Sequence, residues 1–323
     1  MSRPQRTVNA LAAGTQQGLE KGLVVAGFGR HVLVEKPEGQ RIICHPRGKK
    51  GQALVGDNVR WLPSEDEGTI EKIDERKNVF YRQDELRTKS FAANLDQILI
   101  LIAAEPEFSE SQLTRALIAA EAAGITPIIA LNKSDLTEPF GRAWVKLAPY
   151  RAMGYKMVPL AIKPKIDAPE NLAQTADLMA LLKDKKTLVL GPSGSGKSSL
   201  TNLLIPAAKV LTAEISQALN SGKHTTTSTT LYWVDTARTT ALIDSPGFQE
   251  FGLHHIEPMQ LAQLMPDFKA HAQNCKFYNC THLHEPGCGV ISEVKNGPSP
   301  IKIGANRYRL YSELFAELSQ TRY

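Results

Sequence analysis

Cysteine is scarce: there are four in 323 residues, and three of them crowd between positions 275 and 288. That excludes a fold stapled throughout by disulfides. Long apolar runs are missing too. The longest, Ile98 to Ala104, is far short of the ~20 residues a membrane helix requires, so no membrane association is expected. Met1 to Gly18 carries Arg3 and Arg6 but no apolar stretch, and reads as a flexible tail rather than an export signal. A reducing, cytoplasmic setting is the expectation. Nor does the sequence pI of 8.9 make the N-terminal part basic, since residues 20 to 87 hold 13 Lys and Arg against 12 Asp and Glu. What remains is ample for folding. Hydrophobic residues make up 42%, and at a soft prior of ~150 residues per domain the length allows about two domains, or more if some are small.

One segment carries specific chemistry. Thr187-Leu188-Val189-Leu190 reads as a short buried strand running into Gly191-Pro192-Ser193-Gly194-Ser195-Gly196-Lys197-Ser198, and Ser198, Ser199 and the residues after them read as a helix that Pro206 ends. Strand, glycine-rich loop and helix form the context a phosphate-binding loop needs. The glycines let backbone N–H groups turn onto phosphate oxygens, Lys197 reaches the β/γ-phosphates, and the Ser198 hydroxyl can ligate Mg²⁺.

A base-reading motif lies upstream of it, which inverts the usual order. Thr126 to Leu131 is a buried-strand pattern that delivers Asn132-Lys133-Ser134-Asp135 to a strand's C-terminal end, the place where open α/β sheets bind ligands. The Asp135 carboxylate can accept from guanine N1–H and N2–H, a donor pair that adenine lacks. The competing interpretation is a solvated turn in which Ser134 or Asp135 caps the next helix. Downstream, Thr239 to Ile243 is a strand candidate ending in Asp244-Ser245-Pro246-Gly247, where Asp244 suits Mg²⁺ and the Gly247 N–H suits a γ-phosphate. Between the two lies Ser221 to Thr230, a polar stretch with Lys223, His224, Thr225, Thr226 and Thr227. It suits a loop ordered by Mg²⁺ and γ-phosphate, or else a plain Ser/Thr-rich connection.

Cys275, Cys280, His282 and Cys288 make C-x4-C-x-H-x5-C, a density of soft ligands that points to a closed structural zinc site. His284 competes with His282 on spacing alone. Cys44 stands apart in a strand and reads as a buried thiol.

Taken together these motifs resemble one family, the circularly permuted GTPases of small ribosomal subunit maturation known as RsgA or YjeQ. The resemblance runs from about Glu20 to the C-terminal helix and includes the inverted order, the Gly222-Lys223-His224-Thr225-Thr226-Thr227 stretch, Phe248 directly after the Asp244 to Gly247 motif, and the cysteine cluster. It implies an N-terminal OB-type β-barrel, a central α/β P-loop GTPase domain and a C-terminal, mostly helical zinc domain. It selects His282 as the fourth zinc ligand and Thr226 as the Mg²⁺-contacting switch residue, with Thr225 and Thr227 competing. The family has a small apolar residue where this chain has Ser195, and the second base-contacting loop, near Val158 to Ala161, departs from its Ser-rich pattern. A glutamine is missing after Gly247, where another branch of GTPases keeps its water-orienting residue. His224 is therefore the candidate for positioning the attacking water, beside Lys197 and Thr226 as catalytic groups.

The remaining chain fits this division. Residues 1–19 form the tail. From 20 to 87 short alternating segments (22–26, 31–35, 40–45, 53–61 and 69–73) read as five strands of an OB-type barrel, with Arg47-Gly48-Lys49-Lys50 as an RNA-backbone loop. From 88 to 252 strands and helices alternate, including a helix from Ser109 to Ala123 opened by a Ser-x-x-Gln box and closed by Gly124. Residues 253–323 hold the cysteine cluster and a final helix. Tyr308, Tyr311, Leu314, Phe315 and Leu318 form that helix's packing face, and Arg307 and Arg309 lie on other faces as candidates for RNA or protein contact. The implied function is GTP hydrolysis with GTP/GDP, Mg²⁺ and one Zn²⁺, in a monomer that binds the small ribosomal subunit and its rRNA. The alternatives are a P-loop ATPase or kinase, and an RNA-binding scaffold that merely holds nucleotide.

Overall fold

A computed structural model describes residues 18–48, 51–64, 67–84, 87–162, 169–208, 229–247, 251–296 and 302–320. The chain divides into two compact units, residues 1–75 and 76–323.

The first unit is a closed five-stranded barrel. Its strands are β1 (Glu20–Phe28), β2 (His31–Glu35), β3 (Arg41–Pro46), β4 (Asn58–Pro63) and β5 (Gly68–Ile73). β1 pairs antiparallel with β2 and β4, β2 with β3 and β4 with β5, and a parallel β3–β5 pairing closes the ring. Closure removes the sheet edges. Val24, Val34, Cys44, Val59, Trp61 and Ile70 fill the interior, and burial pushes the Cys44 thiol up to about 12. One strand is shorter than its pattern suggests. Residues 53–57, read as strand from alternating apolar positions, instead form a buried turn in which Asp57 accepts from the Leu54 N–H at 2.7 Å. An Asp that bonds its own backbone offers the chain an alternative to the ladder.

The second unit begins with a hairpin of β6 (Val79–Gln83) and β7 (Thr88–Ala93). The contact boundary thus falls at residue 75, whereas the sequence pattern places the barrel's end at 87. The main sheet comprises β8 (Gln97–Ala103), β9 (Thr126–Asn132), β10 (Lys156–Leu160), β11 (Lys186–Leu190), β12 (Thr230–Trp233) and β13 (Ala241–Asp244). Its order is β10-β9-β8-β11-β13-β12, parallel except for the antiparallel β12. β8 is buried along its whole length, as a central strand covered on both faces must be. Helices α1 (Glu110–Ala122), α2 (Thr137–Lys146), α3 (Ala148–Ala152) and α4 (Pro169–Leu182) lie in the crossovers, and α5 (Lys197–Leu204) follows β11. Ser109 caps α1 by accepting from the Gln112 N–H, and Gly124 follows it at φ 64. The chain moves outward from β8 to β9 and β10, then returns to place β11 on the other side of β8. Strand order therefore reverses between β8 and β11, the position where α/β sheets open a ligand crevice at their C-terminal ends.

The C-terminal part is helical: a 3₁₀ turn (Pro258–Leu264), α6 (Pro266–Ala272), α7 (Gly289–Asn296) and α8 (Ala305–Leu318). Among the described residues no helix is long and apolar enough to cross a membrane.

Candidate nucleotide and metal sites

β11 ends at Leu190, and the loop from Gly191 to α5 places Lys197 under its own backbone. The ammonium, buried to 8% exposure, donates to the Gly191 and Pro192 carbonyls at 2.8 and 2.9 Å. Gly196 caps α5 at φ 107. A Cβ there would sit 2.5 Å from Asn132 Nδ2, so both the left-handed backbone and the close neighbour require glycine.

That neighbour joins the two inverted motifs. Asn132, at the end of β9, donates through Nδ2 to the Ser195 carbonyl at 2.9 Å, and its Oδ1 accepts from the N–H groups of Lys133 (2.8 Å) and Ile162 (3.2 Å). Lys133 takes a left-handed φ of 70 and donates to the Glu105 carbonyl. A non-glycine residue in that region is held by its surroundings. Ser134 is tied down by its N–H to the Leu160 carbonyl (2.9 Å) and by its hydroxyl to Gln174 Oε1 (3.2 Å). Asp135 is exposed. The N-cap of α2 is Leu136, and no side chain caps it, which removes the helix-capping interpretation of Ser134 and Asp135.

β13 brings the third motif alongside. Ser245 donates to the Val189 carbonyl at 2.7 Å, fixing the strand end to β11, and a methyl at Gly247 would lie 3.1 Å from Lys197 Nζ and 3.3 Å from the Ser193 N–H. Burial raises the Asp244 carboxyl to about 6, against the pull of Lys197, and the same burial lowers the Lys197 pKa. Asp244 Oδ1 is buried without a hydrogen-bond partner. An orphaned carboxylate oxygen beside a phosphate-binding loop suits a hard divalent cation. Ser193, Gly194 and Ser198 face solvent at the mouth of this crevice. His224, Thr225, Thr226 and Thr227 lie outside the described residues, as do Phe248 and Gln249.

The segment leaving this motif is clamped. Gly252 donates to Asp84 Oδ1 (3.2 Å) and accepts from the Gln83 N–H (3.2 Å), His254 donates to the Gln83 carbonyl (3.0 Å), and Phe251 stacks on Phe91 and packs against Phe80. Arg115 of α1 donates to the Phe251 carbonyl at 3.4 Å and, through the same guanidinium, pairs with Glu317 of α8. None of these partners has a local signal in the sequence.

In the C-terminal module Cys275, Cys280, His282 and Cys288 present ligand atoms that all lie within 4.8 Å of one another. His282 Nδ1 is 3.4 Å from the Cys275 sulfur and 3.5 Å from that of Cys288, and those sulfurs are 3.8 Å apart. A zinc tetrahedron with Zn–S bonds of about 2.3 Å and a Zn–N bond of about 2.0 Å has S···S edges of about 3.8 Å and S···N edges of about 3.5 Å. The residues fit zinc. His284 is outside the cluster. The Gly289 and Ile291 N–H groups donate to the Cys275 and Cys288 sulfurs, and Tyr308 and Tyr311 of α8 donate to the carbonyls of His282 (2.8 Å) and Thr281 (2.9 Å).

One charged reading changes. Arg307 does not lie on an outer face of α8: it is 4% exposed and donates to both Asp267 carboxylate oxygens (2.8 and 2.9 Å) and to Thr114 Oγ1 (2.8 Å), which removes it as an RNA contact. In the barrel Arg47, read as part of an RNA-backbone loop, pairs with Glu71 while its side chain stays 70% exposed, and Arg41 and Arg60 pair with Glu35 and Asp74. Lys49 and Lys50 lie outside the described residues.

A P-loop and a guanine-reading motif, arranged on one parallel sheet in inverted chain order, define a circularly permuted GTPase, a GTP hydrolase. The model of the RsgA GTPase family matches residues 73–254, and the chain belongs to that family. It is 69% identical over 323 residues, the full length of both chains, to the small ribosomal subunit biogenesis GTPase RsgA of Variovorax paradoxus. The protein of the same name from Paraburkholderia xenovorans is 51% identical over 304 residues, 93% of each chain. Among solved structures, YjeQ from Thermotoga maritima superposes with a TM-score of 0.69 at 30% identity, covering 94% of this chain and all of that one. YloQ, a circularly permuted GTPase, superposes with a TM-score of 0.68 at 27% identity, covering 97% and 100%.

Proposed function

We propose that the chain hydrolyses GTP to GDP and phosphate in the cytoplasm, and couples its nucleotide state to binding and release of the small ribosomal subunit during late assembly. The observation that carries the nucleotide half is the bond from Asn132 to the Ser195 carbonyl, which ties the base motif directly to the phosphate loop. The ribosomal half rests on the relatives' names. In this reading Asp135 accepts from the guanine edge, with Lys133 held beside the base. The N–H groups of Gly191 to Ser199 cradle the phosphates, Lys197 swings from loop carbonyls to the β/γ-oxygens, and Gly247 offers its N–H to the γ-phosphate. Ser198, Thr226 and Asp244 would hold Mg²⁺, which would supply positive charge beside the phosphates. His224 positions the attacking water. Cys275, Cys280, His282 and Cys288 hold one Zn²⁺ that is structural, and the chain acts as a monomer, with residues 20–87, 88–252 and 253–323 as its working parts. The clamp on Gly252 and the Arg115 link to Glu317 support transmission from the Gly247 loop to the C-terminal module.

Phosphate release from GTP and from ATP, each with and without purified small subunits, tests this. Turnover of GTP alone, rising strongly with subunits, is expected because no arginine finger or glutamine is evident in the motifs. GTP turnover indifferent to subunits would remove the ribosomal half, and no turnover under any condition would leave a nucleotide-holding scaffold.

A further inference from the structure

The loop between Cys275 and Cys280 carries two exposed aromatic rings. Tyr278 is fully exposed at 101% and Phe277 is 41% exposed. Their exposed chain neighbours Gln273, Asn274, Lys276 and Asn279 are polar, unlike the apolar centre of a protein–protein interface. Lys276 lies over the Phe277 ring at 5.6 Å.

Charge in the stretch around this loop is sorted by sign. Between Asp267 and Lys302 the chain has four lysines and three acids. Asp267 is fully buried against Arg307. Glu293 keeps only 7% of its side chain exposed, and the Glu285 carboxylate is turned into its own loop, accepting from the Thr281 N–H and hydroxyl and the Leu283 and His284 N–H groups. All four lysines (269, 276, 295 and 302) are exposed. The stretch around this loop therefore offers solvent its lysines rather than its acids, beside a fully exposed Tyr278 ring and a partly exposed Phe277 ring under Lys276. Cations that track a phosphate backbone, with π-faces on which bases stack, are what an unpaired nucleic acid strand requires.

We propose that Phe277 and Tyr278 form a stacking platform for unpaired RNA bases, with Lys276 holding the adjacent phosphate. The inference rests on the ribosomal reading for its RNA source and adds the residues that touch it. The test uses the full-length zinc-loaded protein and a short fluorescein-labelled oligoadenylate, read by anisotropy and by ultraviolet cross-linking with peptide mapping. Wild-type protein is expected to cross-link at 276–279. Tyr278→Ala weakens binding by about ten-fold and its pairing with Phe277→Ala weakens it further, whereas Tyr278→Phe, which keeps the ring, stays within about two-fold of wild type. Zinc content and GTP turnover without RNA are unchanged in all three. Unaltered affinity in Tyr278→Ala with no adduct in this loop would overturn the proposal. So would Tyr278→Phe being as weak as the alanine variant, or an alanine variant that binds oligoadenylate normally yet loses intact subunits, which would make the surface a protein contact. Wild-type turnover with and without subunits, measured in parallel, separates failure of this platform from failure of the ribosomal reading.

Discussion

Treating the protein with a zinc chelator, or replacing Cys280 by Ser, is expected to unfold residues 275–291 while leaving the nucleotide-binding sheet folded. The knuckle has little else to hold it: its residues between Lys276 and Asn279 are exposed, and its buried members are chiefly the ligands themselves, Cys280, His282 and Cys288. Without an ion the three thiols and the His282 ring would crowd within 4.8 Å of one another, and metal binding at such a site supplies on the order of 10 kcal/mol of folding free energy. The loss should stop short of the whole helical region. α8 keeps a second attachment through Arg307 to Asp267 and Glu317 to Arg115, so its amide protection falls only where Tyr308 and Tyr311 lose the His282 and Thr281 carbonyls. Hydrogen exchange before and after chelation decides it. Unchanged protection of residues 275–291 would mean that the cluster is not a metal site.

Arg307→Met is expected to destabilise the second unit by about 3–5 kcal/mol, because it leaves Asp267 charged and alone in the interior. Every oxygen of that carboxylate is now answered by the guanidinium, which also donates to Thr114 and lies 5.2 Å over the Tyr150 ring. Thr114 and Tyr150 are hydrogen-bonded in turn at 3.1 Å, so α8, α6, α1 and α3 meet at one side chain. Adding Asp267→Leu should recover most of the loss, since replacing both partners removes the buried charge rather than stranding it. Urea denaturation of the single and double variants gives the comparison. A single variant within about 0.5 kcal/mol of wild type, the range of ordinary surface substitutions, would show that the pair does not brace the helical region.

Arg307 also shows where sequence reading stops. Tyr311, Leu314 and Leu318 mark a packing face correctly, and Arg307 falls on that same face, four, seven and eleven positions away. Hydrophobic periodicity assigns a charged residue to the outside unless its partner is known, and Asp267 is 40 residues distant. The same holds for Asn132, whose motif is legible but whose bond to Ser195 spans 63 residues, and for Gln83, Asp84 and Gly252, which carry no motif at all. Features whose chemistry is complete within one segment were legible: the glycine loop between strand and helix, the Ser109 cap, the Cys₃His spacing. The turn at Asp57 was not, because its apolar neighbours alternate as a strand would.

The central claim is that the inverted motifs form one guanine-specific site, and the affinity of the Asp135→Asn variant for labelled GDP tests it most directly. Two charge-assisted hydrogen bonds to the guanine edge are at stake, and the amide offers a donor where the base also donates, so binding should weaken by about a hundred-fold while the fold is untouched. GDP affinity equal to wild type would contradict the assignment of Asp135 to the base.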